Sequence, residues 1–524
     1  MIAPLLLAVL AGHPAPAPAP SRPKLVVVIS IDQMRGDYLD RWKKQFTGGF
    51  ADLLADGADF TSAYQDHAVT ETAPGHASIL SGRWPAHTGI VRNGEGVQDP
   101  DSPLLGATGE GASPKRFRGT TFFDWLHQAS PESRALSVSR KDRAAILPIG
   151  KAKESVYWYA GGIFTTSKYY ADTLPAWVKT FNGARFPQKA AGYRWTLLLP
   201  DTAYPEQDNV PYENGGHDIT FPHVLPRDST LAAQAVVTTP LMDSIELAFA
   251  LTGVEALKLG KRGATDLLAV SLSATDAIGH AYGPDSRELH DQLLRVDRYL
   301  DWFLGRLDDR YGRDNVLVVL VSDHGMSSFP EFARGHGFPE AREVTVDSIV
   351  ADESGAIDRL TGATAPRHWL SFESGMLFLD DNGGLAARAV NQDSVFGAIA
   401  QHLKAVPGVA RVDRVSDLPR ADTADDAVAR RWIHQLPANS GAVLVVTLQD
   451  GDVWGGYVGA KHGQPSDRDT HIPLIFAGRG IKPGRYADRA DAVDIAPTLA
   501  KLLGITPLSF VDGRVLTEAL DLRN

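Results

Sequence analysis

Three carboxylates and three imidazoles stand where the chain changes character. Asp276 and His280 are four apart in SATDAIGHAYGP. On one helical turn that spacing puts both side chains on the same side, as a shared metal ion requires. Asp323 and His324 follow the apolar run VLVVLV, and neighbours there can converge if the strand turns into a loop. Asp32 closes the run LVVVISI, and His462 sits in a Gly-flanked loop, KHGQP. Taken singly, each has an ordinary explanation: a surface Asp–His pair, a turn Asp beside a structural His, a helix-capping carboxylate. Together, in a chain with 0 Cys, they suit two zinc ions, each keeping an open position. Magnesium or manganese would take fewer His and more oxygen.

The segment VTETAPGHASILSG offers hydroxyls. Thr72 lies just before Ala73, Pro74 and Gly75, a turn that can present its oxygen. A free Thr hydroxyl is nearly inert, but ligation to zinc lowers its pKa enough to populate the alkoxide. Ser78 and Ser81 are rivals, although an apolar helix face accounts better for Ser78. A G-x-S-x-G elbow is missing from this segment, which disfavours a serine-hydrolase triad. His76 either orients this segment or is a buried structural His. His87, His290 and His336 read as surface or packing residues. Without Cys there are no disulfides, thiolate nucleophiles or iron–sulfur clusters.

Continuous apolar runs at 25–32, 267–276 and 316–324, with weaker ones at 135–142 and 471–478, read as strands of a parallel sheet. Apolar residues at Leu289, Leu293, Val296, Leu300, Phe303, Leu304 and Leu307 mark one face of a helix over 286–307. A closing helix is expected over 494–503, with Pro497 in its first turn. Alternating strands and helices imply an α/β fold, a doubly wound, mostly parallel sheet with helices on both faces. Ligands of such sheets sit beyond the carboxyl ends of the strands. Asp32, Lys141 with Arg143, Asp276, and Asp323 with His324 would share that edge. Two stretches, 147–238 and 338–458, break the alternation and read as insertions forming a cap. The Tyr and Trp of the first are expected mostly to pack a core.

The 524 residues carry 52 Lys and Arg against 63 Asp and Glu, a net charge of −11. That balance excludes a general nucleic-acid binder, and an anionic substrate would need local cations. The apolar stretch 2–10 followed by Ala/Pro repeats at 15–20 is too short to span a bilayer as a helix. It reads as a signal peptide and flexible segment, 1–20, although no Lys or Arg precedes it. A disordered tail is the alternative. The mature chain, 21–524, is expected to begin near Ser21, in the periplasm or outside the cell, as a monomer without a membrane span.

The elements VVVISIDQMRGDYL, TETAPGHASILSGRWPAHTGIVRN, SRKDR, SATDAIGHAYGP, VSDHGM, KHGQP and DIAPTLAKLLGI, in this order, resemble the alkaline phosphatase superfamily. The resemblance is closest to its Thr-nucleophile branch, the PafA-like alkaline phosphatases, kin of the nucleotide pyrophosphatase/phosphodiesterases. It implies one zinc on Asp276, His280 and His462, with His462 preferred over His471 because the motif is a His-Gly pair. It implies a second zinc on Asp32, Asp323 and His324, with Thr72 as its substrate-side ligand and the nucleophile. It also implies that Asn93, Lys141 and Arg143 contact phosphoryl oxygens. On residue type alone, Asn93 before Gly94 reads as a hairpin turn, and SRKDR as a solvated edge on which Lys141 and Arg143 point to one side. Charge favours the other reading. Three Asp and an alkoxide cancel two zinc ions, and Lys141 with Arg143 then match a phosphate monoester dianion. Hydrolysis of small phosphate monoesters through a phospho-Thr72 is therefore expected. The alternatives are a phosphodiesterase or nucleotide pyrophosphatase on the same fold and a non-catalytic binding protein. A sulfatase would need a modified Cys or Ser at Thr72.

Overall fold

The structure, a computed structural model, describes residues 22–363, 367–380, 385, 390–456 and 459–521. The expected signal segment, 1–20, lies outside them. Nine strands form the main sheet: β1 (Leu25–Ile31), β2 (Ala58–Phe60), β3 (Ala135–Ser139), β4 (Ser155–Ala160), β5 (Ile163–Thr165), β6 (Asp266–Leu272), β7 (Val316–Val321), β8 (Leu474–Ala477) and β9 (Gly484–Tyr486). Their spatial order is β9-β2-β8-β7-β1-β6-β3-β4-β5. β7, β1, β6, β3 and β4 run parallel to one another.

β1 shows why these runs are unbroken. Leu25, Val27 and Ile29 enter one core cluster, while Val26 and Val28 enter the other. With period-two side chains and both faces covered, nearly every position is apolar, Ser30 being the exception. The first core is closed by α3 (Leu241–Ala256) and α5 (Arg287–Tyr311), the second by α1 (Thr72–Ser81) and α6 (Ile495–Leu503). The Ser286 hydroxyl caps α5 by accepting from the Leu289 N–H at 3.1 Å. Pro497 lies in the first turn of α6. The doubly wound α/β architecture is thus present. The 471–478 run differs from a parallel strand, because β8 pairs antiparallel with β7.

Within 147–238, β4 and β5 extend the main sheet, and the aromatics pack against α3. Phe164 and Phe249 stack at 4.0 Å, with Tyr157, Trp177 and Phe181 edge-on or tilted around them. Within 338–458, strands Leu370–Glu373, Met376–Leu379, Ala442–Leu448 and Val409–Arg414 form a separate antiparallel sheet. It has a hydrophobic core of its own. Among the described residues no single helix is long and apolar enough to cross a membrane.

Candidate metal centre

Four neighbouring strands, β7, β1, β6 and β3, deliver their chain ends to one edge. Asp32 follows β1 directly, and its N–H donates to the Leu272 carbonyl at the end of β6, 3.0 Å away. Asp323 and His324 follow β7. Asp276 and His280 ride on α4 (Ala274–Tyr282), which starts two residues after β6. The ligand atoms of Asp32, Asp323 and His324 lie within 4.8 Å of one another, as do those of Asp276, His324 and His462. His280 Nε2 is 3.3 Å from Asp276 Oδ1 and 3.2 Å from His462 Nε2, and His462 Nε2 is 3.9 Å from Asp276 Oδ1. The two trios expected from the sequence are therefore adjacent, and the His324 and His462 rings stack at 3.9 Å.

The imidazoles are aimed by main-chain carbonyls. Nδ1 of His280 donates to Ala460 O at 2.7 Å, that of His462 to Thr70 O at 2.6 Å, and that of His324 to Gly325 O at 2.9 Å. A carbonyl only accepts, so each Nδ1 carries the proton, and in the neutral ring Nε2 is the atom left with a lone pair. Burial, and then His324 and His280, hold the His462 pKa well below its ordinary value, so the ring is neutral. Burial, with Asp276 and Asp323 nearby, pushes the Asp32 carboxyl up to about 6. At Asp276 burial acts in the same sense, but Lys141 and His280 outweigh it and hold the carboxyl well below the usual range. Asp32 Oδ1 and His324 Nε2, both buried, have no hydrogen-bond partner and face each other at 3.6 Å. Two lone pairs so placed repel unless a cation lies between them. The nitrogen and oxygen donor set fits zinc.

Thr72 is the first residue of α1. Lys141 Nζ lies 3.1 Å from Thr72 Oγ1, 2.6 Å from Asp32 Oδ2 and 2.7 Å from Asp276 Oδ2. Hydroxyl and ammonium thus sit between the two trios. Asn93 is in a short 3₁₀ turn, not a hairpin, and its Oδ1 accepts from Ala73 N–H at 2.9 Å, which anchors its carboxamide beside Thr72. Between Lys141 and Arg143 the chain enters α2 (Asp142–Ile146), so strand alternation does not relate the two side chains, and the Arg143 guanidinium lies 3.5 Å from the Asp142 carboxylate. Ser78 and Ser81 donate within α1, to Pro74 O and Ala77 O. His76 Nδ1 is 2.9 Å from Thr72 O and 3.0 Å from Asp323 Oδ2. His471 points elsewhere, to Thr61 O. His87 pairs with Asp512, His290 with Glu206, and His336 stacks on Phe332.

Gln33 escaped the sequence reading. Its N–H donates to Asp323 Oδ1 at 3.0 Å and its Nε2 to Asp276 Oδ1 at 3.1 Å, so it bridges the trios. A Gln after a strand carries no signal of that role; its φ of 69° shows only in the structure. Arg140 Nη2, 3.8 Å from Asp276 Oδ2, was missed likewise. A cleft of about 460 Å³ opens over the centre, lined by Glu71, Asn93, His280, Phe372, Trp454 and His462 among others.

Residues 26–364 match the family of type I phosphodiesterase / nucleotide pyrophosphatase. The chain is 33% identical to alkaline phosphatase PhoV of Synechococcus elongatus, over 95% of this chain and 93% of that protein. It is 32% identical to alkaline phosphatase PafA of Elizabethkingia meningoseptica over 95% of both chains. The crystal structure of PafA matches with a TM-score of 0.88 at 31% identity, covering 96% of this chain and 100% of that one. A second PafA structure carries replacements of a Thr, an Asn, a Lys and an Arg, the Arg two places after the Lys. Murine ectonucleotide pyrophosphatase / phosphodiesterase 5 shares the fold, with a TM-score of 0.54 at 14% identity over 95% of this chain and 100% of that one. The chain thus belongs to the type I phosphodiesterase/nucleotide pyrophosphatase family within the alkaline phosphatase superfamily, on the PafA-like alkaline phosphatase branch. It is an enzyme, a phosphatase.

Proposed function

We propose that the chain hydrolyses small phosphate monoesters through a covalent phospho-Thr72, at a centre where Asp276, His280 and His462 hold one zinc and Asp32, Asp323, His324 and Thr72 a second. The observation that carries this reading is the convergence of one hydroxyl, one ammonium and both acidic trios at the Thr72 oxygen. Bound zinc supplies Lewis acidity, lowering the pKa of the hydroxyl and of water and neutralising charge on the leaving oxygen. Thr72 Oγ1 attacks phosphorus in line, the ester oxygen departs with the electron pair of its P–O bond, and the phosphoryl group rests on Thr72. Water then breaks the Thr72–phosphorus bond and returns the hydroxyl. Lys141 offsets charge on Thr72 and on the transferred group. Asn93, held by Ala73 N–H, donates its amide to a phosphoryl oxygen, and Arg143 adds the second positive charge at the rim. Thr, Asn, Lys and Arg stand in the same chain order as the positions replaced in the PafA variant, which supports these roles.

The two cations favour a dianion over a monoanionic diester, so an aryl phosphate should be turned over faster than a bis-aryl phosphate. The 338–458 region serves as a cap that houses the leaving group, with Phe372 and Trp454 lining the cleft. Export through the 1–20 segment completes the reading, and N-terminal sequencing of the secreted protein checks it. The decisive experiment is Thr72→Ala, which should abolish turnover while zinc content persists. Preserved turnover would refute the nucleophile assignment.

A further inference from the structure

Glu71, the residue before Thr72, ties two parts of the molecule together. It is the N-cap residue of α1, yet its side chain does not cap that helix. Asn93 does so instead, its Oδ1 accepting from Ala73 N–H. The Glu71 carboxylate reaches the short turn that carries Asn93: Oε2 accepts from Asn93 N–H at 2.6 Å. Its other oxygen, Oε1, accepts from the Ser374 hydroxyl at 2.7 Å. Ser374 belongs to the separate sheet of the 338–458 region. With Gly375 it forms the tight turn between strands Leu370–Glu373 and Met376–Leu379. Their φ values are 49° and 79°, as a two-residue hairpin turn requires. Gly adopts such φ freely and Ser does not, and it is the Ser hydroxyl that Glu71 holds. The neighbours repeat the contact. Arg92 Nη1 is 2.7 Å from Glu373 Oε2, and its guanidinium lies 5.0 Å from the Phe378 ring centre. A Cβ at Gly94 would stand 3.3 Å from Glu373 Oε1. Arg92, Asn93 and Gly94 are thus seated in succession against this hairpin.

We propose that Glu71 is a positioning residue that couples the Ser374 turn to Asn93, so that the 338–458 region sets the grip on the transferred phosphoryl group and not on the leaving group alone. This rests on the reading in which the Asn93 amide contacts a phosphoryl oxygen. Lys141 and Arg143 come from the junction of β3 and α2 in the main sheet. Asn93 is instead fixed from two sides, by α1 through its side chain and by the hairpin through Glu71. Glu71 lines the cleft over the centre, where a carboxylate by its charge opposes an anionic substrate. Its contribution there is a pair of short, charge-assisted hydrogen bonds that hold the Asn93 turn in place. Without them the amide shifts off the phosphoryl oxygen, and small misplacements of such a donor cost large factors in rate.

The test is a double-mutant cycle on the full chain in zinc-containing buffer. It reads kcat/KM for an aryl phosphate, Ki for inorganic phosphate, zinc content and melting temperature. Asn93→Ala should lower kcat/KM about 10²-fold. Glu71→Ala should lower it about 10-fold, although it removes a negative charge from the cleft, and Ki should rise in parallel. The double variant should fall no further than Asn93→Ala, because without the amide its placement no longer matters. Glu71→Gln should recover most of the loss, since its Oε1 can accept from Asn93 N–H while its Nε2 donates to the Ser374 oxygen. Ser374→Gly suits the positive φ and should cost about fivefold, again only where Asn93 is present and with zinc content unchanged. It carries the reading if Glu71→Ala folds poorly. Losses that multiply in the double variant, or a Glu71→Ala enzyme with the parent's kcat/KM and Ki, would overturn the proposal. An Asn93→Ala enzyme as fast as the parent would instead refute the phosphoryl contact, and the coupling with it.

Discussion

Lys141 is the cation on which both acidic trios lean, with Nζ within 3.1 Å of Thr72, Asp32 and Asp276. Lys141→Ala removes that charge from the two carboxylates and, on the proposed mechanism, from the transferred group. We expect kcat/KM for an aryl phosphate to fall about 10²–10³-fold, with a much smaller loss for a bis-aryl phosphate. Parallel Michaelis curves on the two substrates check this, and equal losses would sink the charge match. The gathering of Asp and His was legible because such residues at the ends of apolar runs have few other reasons to collect on one sheet edge. What aims them was not. Thr70, Ala460 and Gly325 contribute carbonyl oxygens, which every residue owns, so no side chain announces the role. Gln33 hid for a related reason, since its use depends on a backbone turn and not on its chemistry.

At the scale of elements, α1 must seat its first turn against the end of β7. Gly75 permits this: a Cβ there would lie 2.1 Å from the Asp323 carbonyl oxygen. Gly75→Ala should therefore cost about 1–3 kcal/mol through overpacking and displace Asp323, so thermal melts and zinc content should fall together. A core change remote from the edge should behave differently. Leu300→Ala on α5 should cost about 2–5 kcal/mol while leaving kcat per folded molecule unchanged, measured on the soluble fraction. The strands with both faces covered were readable as unbroken apolar runs. The direction of β8 was not, because an apolar run carries no sign of parallel or antiparallel pairing. Nor was the start of α2, which separates Arg143 from Lys141. β4 and β5 were obscured by Tyr and Trp that serve both the sheet and the core around Phe249.

At the scale of the molecule, Asp32, Asp276 and Asp323 are buried together, with Lys141 paired to the first two and His76 beside the third. Stripping metal should lower the melting temperature, and zinc should restore it in proportion to occupancy. A scan that ignores chelation and zinc would deny the centre a structural role. The net charge of −11 means that a phosphate anion meets an unfavourable distant field and a favourable local one, so added salt should raise its association rate. A last consequence concerns how such a centre ages. Because the Nδ1 partners of His280, His462 and His324 are peptide oxygens, replacing the side chain at Thr70 or Ala460 does not in itself unhook an imidazole. Drift in the surrounding loops is thereby uncoupled from ligand posture. A neutral peptide oxygen also feeds less electron density through the ring than a carboxylate would, so an ion seated there stays the stronger electrophile.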